Sequence, residues 1–349
     1  MEEPRPPALA EPNPAGRWRW VPLRVGALLL AALLLVGTLQ AFAPTAALQE
    51  GSRVVEIPLA VGLHGMARLL EEEGVIRSPL SFVLVALLRG SARTLKAGEY
   101  EIPQGASLFT IVRLIEEGRF RPRIFTLPEG STLQEAAERL EAEELVSGGD
   151  VRRLARDPAF LRSLGITAES LEGYLFPDTY YFFKGMRGEE ILAKMVHRLQ
   201  EVLTPELRSR AEELRLPLHG LLTLASIVEK EAVLESERSL ISAVFWNRLK
   251  RDMPLQADPT VGYAVNKKNR LLTLTDLRVD SPYNTYRYRG LPPTPIGNPG
   301  KPSILAVLYP AKADYLYFVS IDGIRHHFST TWPQHATAVT RYRVARQGL

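Results

Sequence analysis

The sequence predicts an α+β protein: an N-terminal membrane-spanning helix, a small α+β module, and a larger mixed α+β domain with a helical core. Three observations predict it. An uncharged run of 19 residues extends from Val25 to Ala43. Three segments between Ile57 and Val146 repeat one strand–turn–helix pattern. A stretch from Leu221 to Met253 holds neither Gly nor Pro, and loop-rich sequence with a closing hairpin pattern follows it.

The apolar run is about the length that crosses a bilayer. Arg17, Arg19 and Arg24 precede it, and the first charge behind it is Glu50. The positive-inside rule keeps residues 1–24, a Pro-rich polar tail, in the cytoplasm and exports the chain after the span at 25–45. Trp18 and Trp20 fall where interfacial aromatics belong. The alternative is a cleaved signal peptide, since Ala41–Phe42–Ala43 has the small-x-small form. The run is longer than a usual signal core, and Pro44 disfavours cleavage. The expected topology is therefore a single pass through the plasma membrane, with the bulk of the chain on the extracytoplasmic side.

The whole chain has 349 residues, 46% apolar and 23% charged, with a net charge of +4. That is the composition of a folded protein long enough for two or three domains. The small positive surplus is interspersed with acids, and no basic block interleaves with aromatics, so nucleic acid is not an expected partner. The absence of cysteine removes disulfides, thiol catalysis and thiolate metal sites together.

The repeated segments occupy an expected module at 50–149. They are IPLAVGLHGMARLLEEEGVI from Ile57, IPQGASLFTIVRLIEEG from Ile102 and LPEGSTLQEAAERLEAEELV from Leu127. Each opens on a short apolar stretch and Pro. Two continue with Pro-x-Gly and then Ser or Thr, as a turn and helix N-cap require. Each then places apolar residues at helical spacing, such as Leu108, Ile111, Val112 and Ile115. Such units resemble LysM-type modules, small α+β domains that bind N-acetylglucosamine polymers. The alternative is a spacer that only shapes the chain.

A second region is expected at 150–349. It opens helical and then breaks at LEGYLFPDTYYF, Leu171 to Phe182, with Gly, Pro, Asp and five aromatics. The loop-rich part carries LQADPTVGYA and SPYNTYRYRGLPPTPIGNPGKPS, and IDGI near the end is a hairpin signal. No phosphate-binding glycine loop, Rossmann fingerprint or G-x-S-x-G elbow occurs.

The stretch LTLASIVEKEAVLESERS, Leu222 to Ser239, raises a question of chemistry. With 221–235 as a helix, Leu224, Ile227 and Val228 form one stripe, and Glu231 continues it by steps of three, four and seven. Glu229 lies about 200° from Glu231 and faces a more mixed surface. A carboxyl on an apolar face is disfavoured when ionised, so its pKa rises. A neutral carboxyl beside a sugar is the general acid that glycoside-cleaving enzymes use. The alternative is a structural glutamate paired with Arg238 or Arg248.

The motifs EGYLFPDTY, LASIVEKEA, FWNRLKRDMPLQADPTVGYA, YNTYRYRGLPPTPIGNPG and YLYFV occur in this order behind a single apolar run. Together they resemble the endolytic murein transglycosylases, the YceG-like membrane-anchored lytic transglycosylases, over nearly everything after residue 50. The resemblance implies a LysM-like domain ahead of a catalytic domain with a lysozyme-like helical core. It implies a lyase that cuts the β-1,4 bond between N-acetylmuramic acid and N-acetylglucosamine within glycan strands. The product ends in 1,6-anhydro-N-acetylmuramic acid, so the enzyme terminates or trims nascent strands. The resemblance makes Glu231, before the small Ala232, the catalytic acid and base. Many relatives carry Thr or Ser at the position of Ala232.

For sugar binding the motifs offer Tyr174, Phe176, Tyr286 and the polar Gln256, Asn284 and Thr285, with Tyr180, Tyr283 and Tyr288 as further rings. Asp178 and Asp258 are read as turn, groove or capping residues that could serve as second acids. No cofactor or metal is expected: His326 and His327 are adjacent in a strand pattern and point to opposite faces, and His335 stands apart. Expected partners are peptidoglycan glycan strands, with peptidoglycan synthases and the elongation or division machinery beside them. The competing readings are a muramidase that uses water at the same site and a non-catalytic peptidoglycan-binding scaffold.

Overall fold

The structure is a computed structural model. It describes residues 25–28, 51–58, 60–267 and 272–347, with the side chains of the last helix described to residue 342. Most of the expected span at 25–45 lies outside the described residues. No described helix is long and apolar enough to cross a membrane. The chain divides into two compact units, residues 1–121 and 122–349.

In the N-terminal unit, β1 (Arg53–Ile57) pairs antiparallel with β2 (Gly98–Ile102), Arg53 opposite Ile102 and Ile57 opposite Gly98. Between them run α1 (Leu63–Glu72) and α2 (Pro79–Leu88), and α3 (Leu108–Glu117) follows β2. Ser78 caps α2 by accepting from the Ser81 N–H, with Pro79 at the first helical position, where its missing N–H costs nothing. Ser107 caps α3 likewise, and Gly118 ends that helix with φ 70°, a conformation that glycine adopts freely. Ile57, Leu70, Phe82, Tyr100, Ile111 and Ile115 fill its core.

The C-terminal unit begins with β3 (Arg123–Thr126) and continues through α4 (Leu133–Ala142), α5 (Gly148–Leu154) and α6 (Pro158–Ser163) to β4 (Thr179–Phe182). Strand β3 pairs antiparallel with β4, Phe125 opposite Tyr180. Next come α7 (Gly188–Val202), α8 (Pro205–Glu213), α9 (Leu218–Glu231), α10 (Arg238–Lys250), α11 (Asp258–Ala264) and α12 (Lys301–Leu308). The hairpin β5 (Tyr317–Ser320) and β6 (His326–Ser329) precedes α13 (Trp332–Gln347).

All three repeated segments fold as strand, turn and helix. The third does not belong with the first two, however, and the unit boundary falls at 121/122 rather than at the expected 149/150. Pairing decides this: β3 finds its partner strand some fifty residues later in the LEGYLFPDTYYF segment, and Glu172 from that segment accepts the Leu133 N–H at the start of α4 at 2.9 Å. Helix α9 is the centre of the C-terminal unit. Leu221 to Val228 are buried without interruption, so this helix is enclosed all round and has no single apolar stripe. It packs against α12, α10 and α11. It ends at Glu231, short of the expected 235, because Ala232 turns extended at ψ 122°.

Candidate active site

A cleft of about 1090 Å³ opens beside the end of α9. Its walls include Glu231 and Lys230 from that helix, Asp258, Gly262 and Tyr263 from α11, Glu172, and Arg152 and Arg156 from around the end of α5. Glu231 is half-buried on this wall. Its pKa is raised to about 8, first by burial and next by the carboxylate of Asp258; Arg248 and the Asp258 backbone N–H, which donates to Glu231, pull the other way. The group therefore carries its proton at neutral pH, the state a general acid needs.

Asp258 is the first residue of α11 and lines the same cleft. The Tyr286 hydroxyl donates to its Oδ1 at 2.5 Å; burial first, and this contact next, raise the pKa of that phenol. Arg248, buried beneath, donates to the carbonyls of Leu255 and Leu316 at 2.7 Å each and to Gln256 Oε1 at 3.3 Å. A guanidinium with fixed donors thus ties the loop before α11 to the chain entering β5.

The neighbouring glutamate has another role. Glu229 accepts from Arg238 at 2.7 Å and from the Gly300 N–H, at the start of α12, at 3.0 Å. It is a buried ion pair that joins three helices. The structural reading open to the glutamates of this helix thus describes Glu229. What distinguishes the two is pairing: among the described residues, a cation is bonded to Glu229 and none to Glu231.

Of the other expected site residues, only Asp258 lines the cleft, and Tyr286 joins it through the Asp258 hydrogen bond. Asn284 is fully buried; its amide donates to the carbonyls of Leu277 and Val279 and accepts from the Tyr286 N–H. Thr285 is equally buried, its hydroxyl accepting from the Ala257 N–H and bonded to Thr260. Both hold the loop that presents Tyr286 and have no polar atom left for a sugar. Gln256 sits in the left-handed region at φ 51°, its N–H bonded to the Thr285 carbonyl, as a turn residue. Tyr174 is buried with its hydroxyl on His219 Nδ1 at 3.1 Å, and Phe176 is core. Asp178 forms an ion pair with Arg198 at 2.7 Å beside β4. Tyr180 is core, Tyr283 bonds Thr294 and Tyr288 bonds Asp280.

Sequence reading missed Glu172. It is buried, lines the cleft, and accepts from the Leu133 N–H at 2.9 Å and the Tyr263 hydroxyl at 3.0 Å. Burial pushes its pKa up to about 7. Its segment has no helical period to betray it; the available signal was a lone carboxylate between Leu171 and the aromatics of LEGYLFPDTYYF.

The sequence model of the YceG-like family matches residues 55–341. The chain belongs to the YceG-like family. Among similar members is the endolytic murein transglycosylase of Bacillus subtilis strain 168, 33% identical over 303 residues, which cover 82% of this chain and 84% of the relative. The endolytic murein transglycosylase of Streptococcus pneumoniae serotype 2 is 32% identical over 307 residues, 79% of this chain and 54% of the relative. A crystal structure of a Listeria monocytogenes protein described as YceG-like superposes with a TM-score of 0.58 at 36% identity, covering 82% of this chain and 98% of that one. The family match spans the elements that build the cleft.

Proposed function

We propose that this YceG-like chain is an endolytic peptidoglycan lytic transglycosylase and that Glu231 serves as both acid and base. The observation that carries the assignment of Glu231 is its place at the end of α9, on the wall of the cleft beside Asp258, with no cation bonded to it among the described residues. The protonated carboxyl gives its proton to the glycosidic oxygen as the C1–O4 bond between N-acetylmuramic acid and N-acetylglucosamine breaks. The carboxylate then takes the proton of the muramic acid 6-hydroxyl as its oxygen bonds C1. The proton balance closes on Glu231, no water enters, and the strand ends in 1,6-anhydro-N-acetylmuramic acid. The substrate supplies the nucleophile, so no second carboxylate at nucleophile distance is required.

Asp258 is the positioning residue of this scheme. Its N–H orients the Glu231 carboxyl, and its charge keeps the proton there until the leaving oxygen takes it. The enclosed α9 with α10, α11 and α12 around it supports the reading of a lysozyme-like helical core. The apolar run from Val25 to Ala43 behind Arg17, Arg19 and Arg24 supports a membrane anchor with the C-terminal unit on the extracytoplasmic side. The strand–helix–helix–strand arrangement of the N-terminal unit supports the LysM-like reading of that unit. Trimming of nascent strands beside the synthases accords with the endolytic cut.

Mass analysis of products from purified glycan strands tests this. Anhydro ends from the native protein, and none from Glu231→Gln, are the expected result. Reducing ends from the native protein identify a hydrolase. Equal digestion by Glu231→Gln removes the residue from the mechanism, and no digestion by either protein leaves a binding scaffold.

A further inference from the structure

The N-terminal unit carries a surface that this chemistry does not use. Helix α2 is apolar all the way round. Phe82, Val85 and Ala86 enter the core, while Leu80, Leu84, Leu87 and Leu88 stand 79%, 52%, 57% and 78% exposed. Steps of four, three and four place these leucines on one continuous stripe. A helix that is apolar on every side is one that is covered on every side, and a contiguous patch of this kind marks an interaction surface.

Along the chain segment that carries the patch, the charge has one sign. From Gly74 to Gly98 there is no acid, and Arg77, Arg89, Arg93 and Lys96 are the only charged residues. Arg89 is engaged, bonded to Glu116 at 2.8 Å and lying over the Phe109 ring, and Lys96 reaches the Glu117 carbonyl at 3.3 Å. Arg77 and Arg93 are exposed and have no ion pair among the described residues. A leucine stripe flanked by unpaired arginines has the make-up of a helix lying at a bilayer surface, leucines at the acyl boundary and cations on anionic headgroups.

The position in the chain names the occupant. Nine residues, Pro44 to Ser52, separate the apolar run from β1, a reach of about 30 Å at full extension. A unit held that close to a bilayer meets its surface far more often than any other partner. We propose that the exposed leucine face of α2 docks on the outer surface of the membrane that holds the anchor, with Arg77 and Arg93 on anionic lipid headgroups. The proposal rests on the anchored reading given above. It makes the anchor and α2 two attachments, so that the N-terminal unit keeps a fixed orientation against the bilayer.

The chain has no cysteine, so single labels can be placed at will. The full chain carrying Leu84→Cys or, separately, Leu88→Cys is labelled with an environment-sensitive fluorophore. It is reconstituted into vesicles of phosphatidylglycerol with phosphatidylethanolamine, and flotation checks incorporation. Glu71→Cys, on the acidic end of α1, is the control. The expected result is a blue shift with emission raised roughly twofold or more at Leu84 and Leu88, quenched by headgroup-proximal spin-labelled lipid, with Glu71 unchanged. Arg77→Glu with Arg93→Glu should reduce this signal on anionic vesicles and leave it unaltered on phosphatidylcholine. A floating chain with water-like emission at both leucine positions overturns the docking and leaves the anchor standing. Shielding without lipid quenching overturns it too, since the cover is then protein: a second copy or the chain's own N-terminal segment. A chain that does not float overturns both readings.

Discussion

Asp258 donates its backbone N–H to the Glu231 carboxyl while its own carboxylate raises the pKa of that group. The two effects act at different moments of a reaction. The N–H fixes where the proton is delivered from, and it favours the carboxylate that forms afterwards. The neighbouring charge delays release until an acceptor arrives.

This relationship predicts the pH profile. With Glu231 raised to about 8, kcat/KM should be level below that value and fall about tenfold per pH unit above it. Asp258→Asn keeps the backbone N–H and removes the repelling charge. The falling limb should then move to lower pH, and an unmoved limb would show that Asp258 does not govern the proton.

Stability carries the same signature with a definite sign. Glu231 holds its proton up to about pH 8 in the folded chain and releases it near its ordinary 4.5 when unfolded. Across that window the unfolded chain binds fewer protons, so stability falls as pH rises. Glu231→Gln removes the effect. The variant should match the native protein near pH 4 and exceed it at pH 9 by on the order of 2–4 kcal/mol, allowing for screening along the open side of the cleft. Denaturant titrations at the two pH values measure this.

Glu229 is tested through its cation. Arg238→Ala leaves the Glu229 carboxylate buried without its cation, at a cost of about 3–5 kcal/mol. Its folded fraction should still produce anhydro ends, because the pair joins helices and does not touch the cleft chemistry. A loss of turnover in folded Arg238→Ala protein, out of proportion to its stability, would contradict the structural role.

Glu172→Ala strands the Leu133 N–H and the Tyr263 hydroxyl, each at about 1–3 kcal/mol. Glu172→Gln retains an acceptor for one of them and should recover roughly half of the loss. Melting temperatures of the two variants give the comparison, and equal values would remove Glu172 from its capping role.

Asn284→Ala should lower the melting temperature by several degrees, since a buried amide with two donors and one acceptor satisfied contributes about 2–3 kcal/mol in this setting. The KM of the folded fraction should stay unchanged. A raised KM with unchanged stability would place Asn284 against the sugar after all.

The local elements were readable because they depend on neighbours in sequence. Ser107 before Leu108, Ile111, Val112 and Ile115 announces a capped amphipathic helix, and Asp322–Gly323 between apolar pairs announces the β5–β6 hairpin. The phase argument set Glu231 apart from Glu229, and the structure gives the two different surroundings. Helix α9 is enclosed on all sides, so periodicity alone could not say which of its glutamates meets a cation. That depended on Arg238 and on Gly300, brought in from α10 and the start of α12. The polar residues of the loop motifs differ in what surrounds them. Asn284 and Thr285 looked available in sequence because polar loop residues have little to do in a core, yet both are buried and bonded within their own loops; Gln256 stays exposed, with its Oε1 accepting from Arg248.

The sequence by itself determined the α+β class, the helices and hairpin and the motifs shared with the YceG-like family, because hydrophobic spacing, caps and turn chemistry act over a few residues. Only the tertiary structure decided that β3 belongs with β4, that Glu172 stands in the cleft, and that Asp258 lies beside Glu231 there. Strand pairing, burial and the field at a carboxyl depend on groups far apart along the chain, and their distances exist only once it has folded.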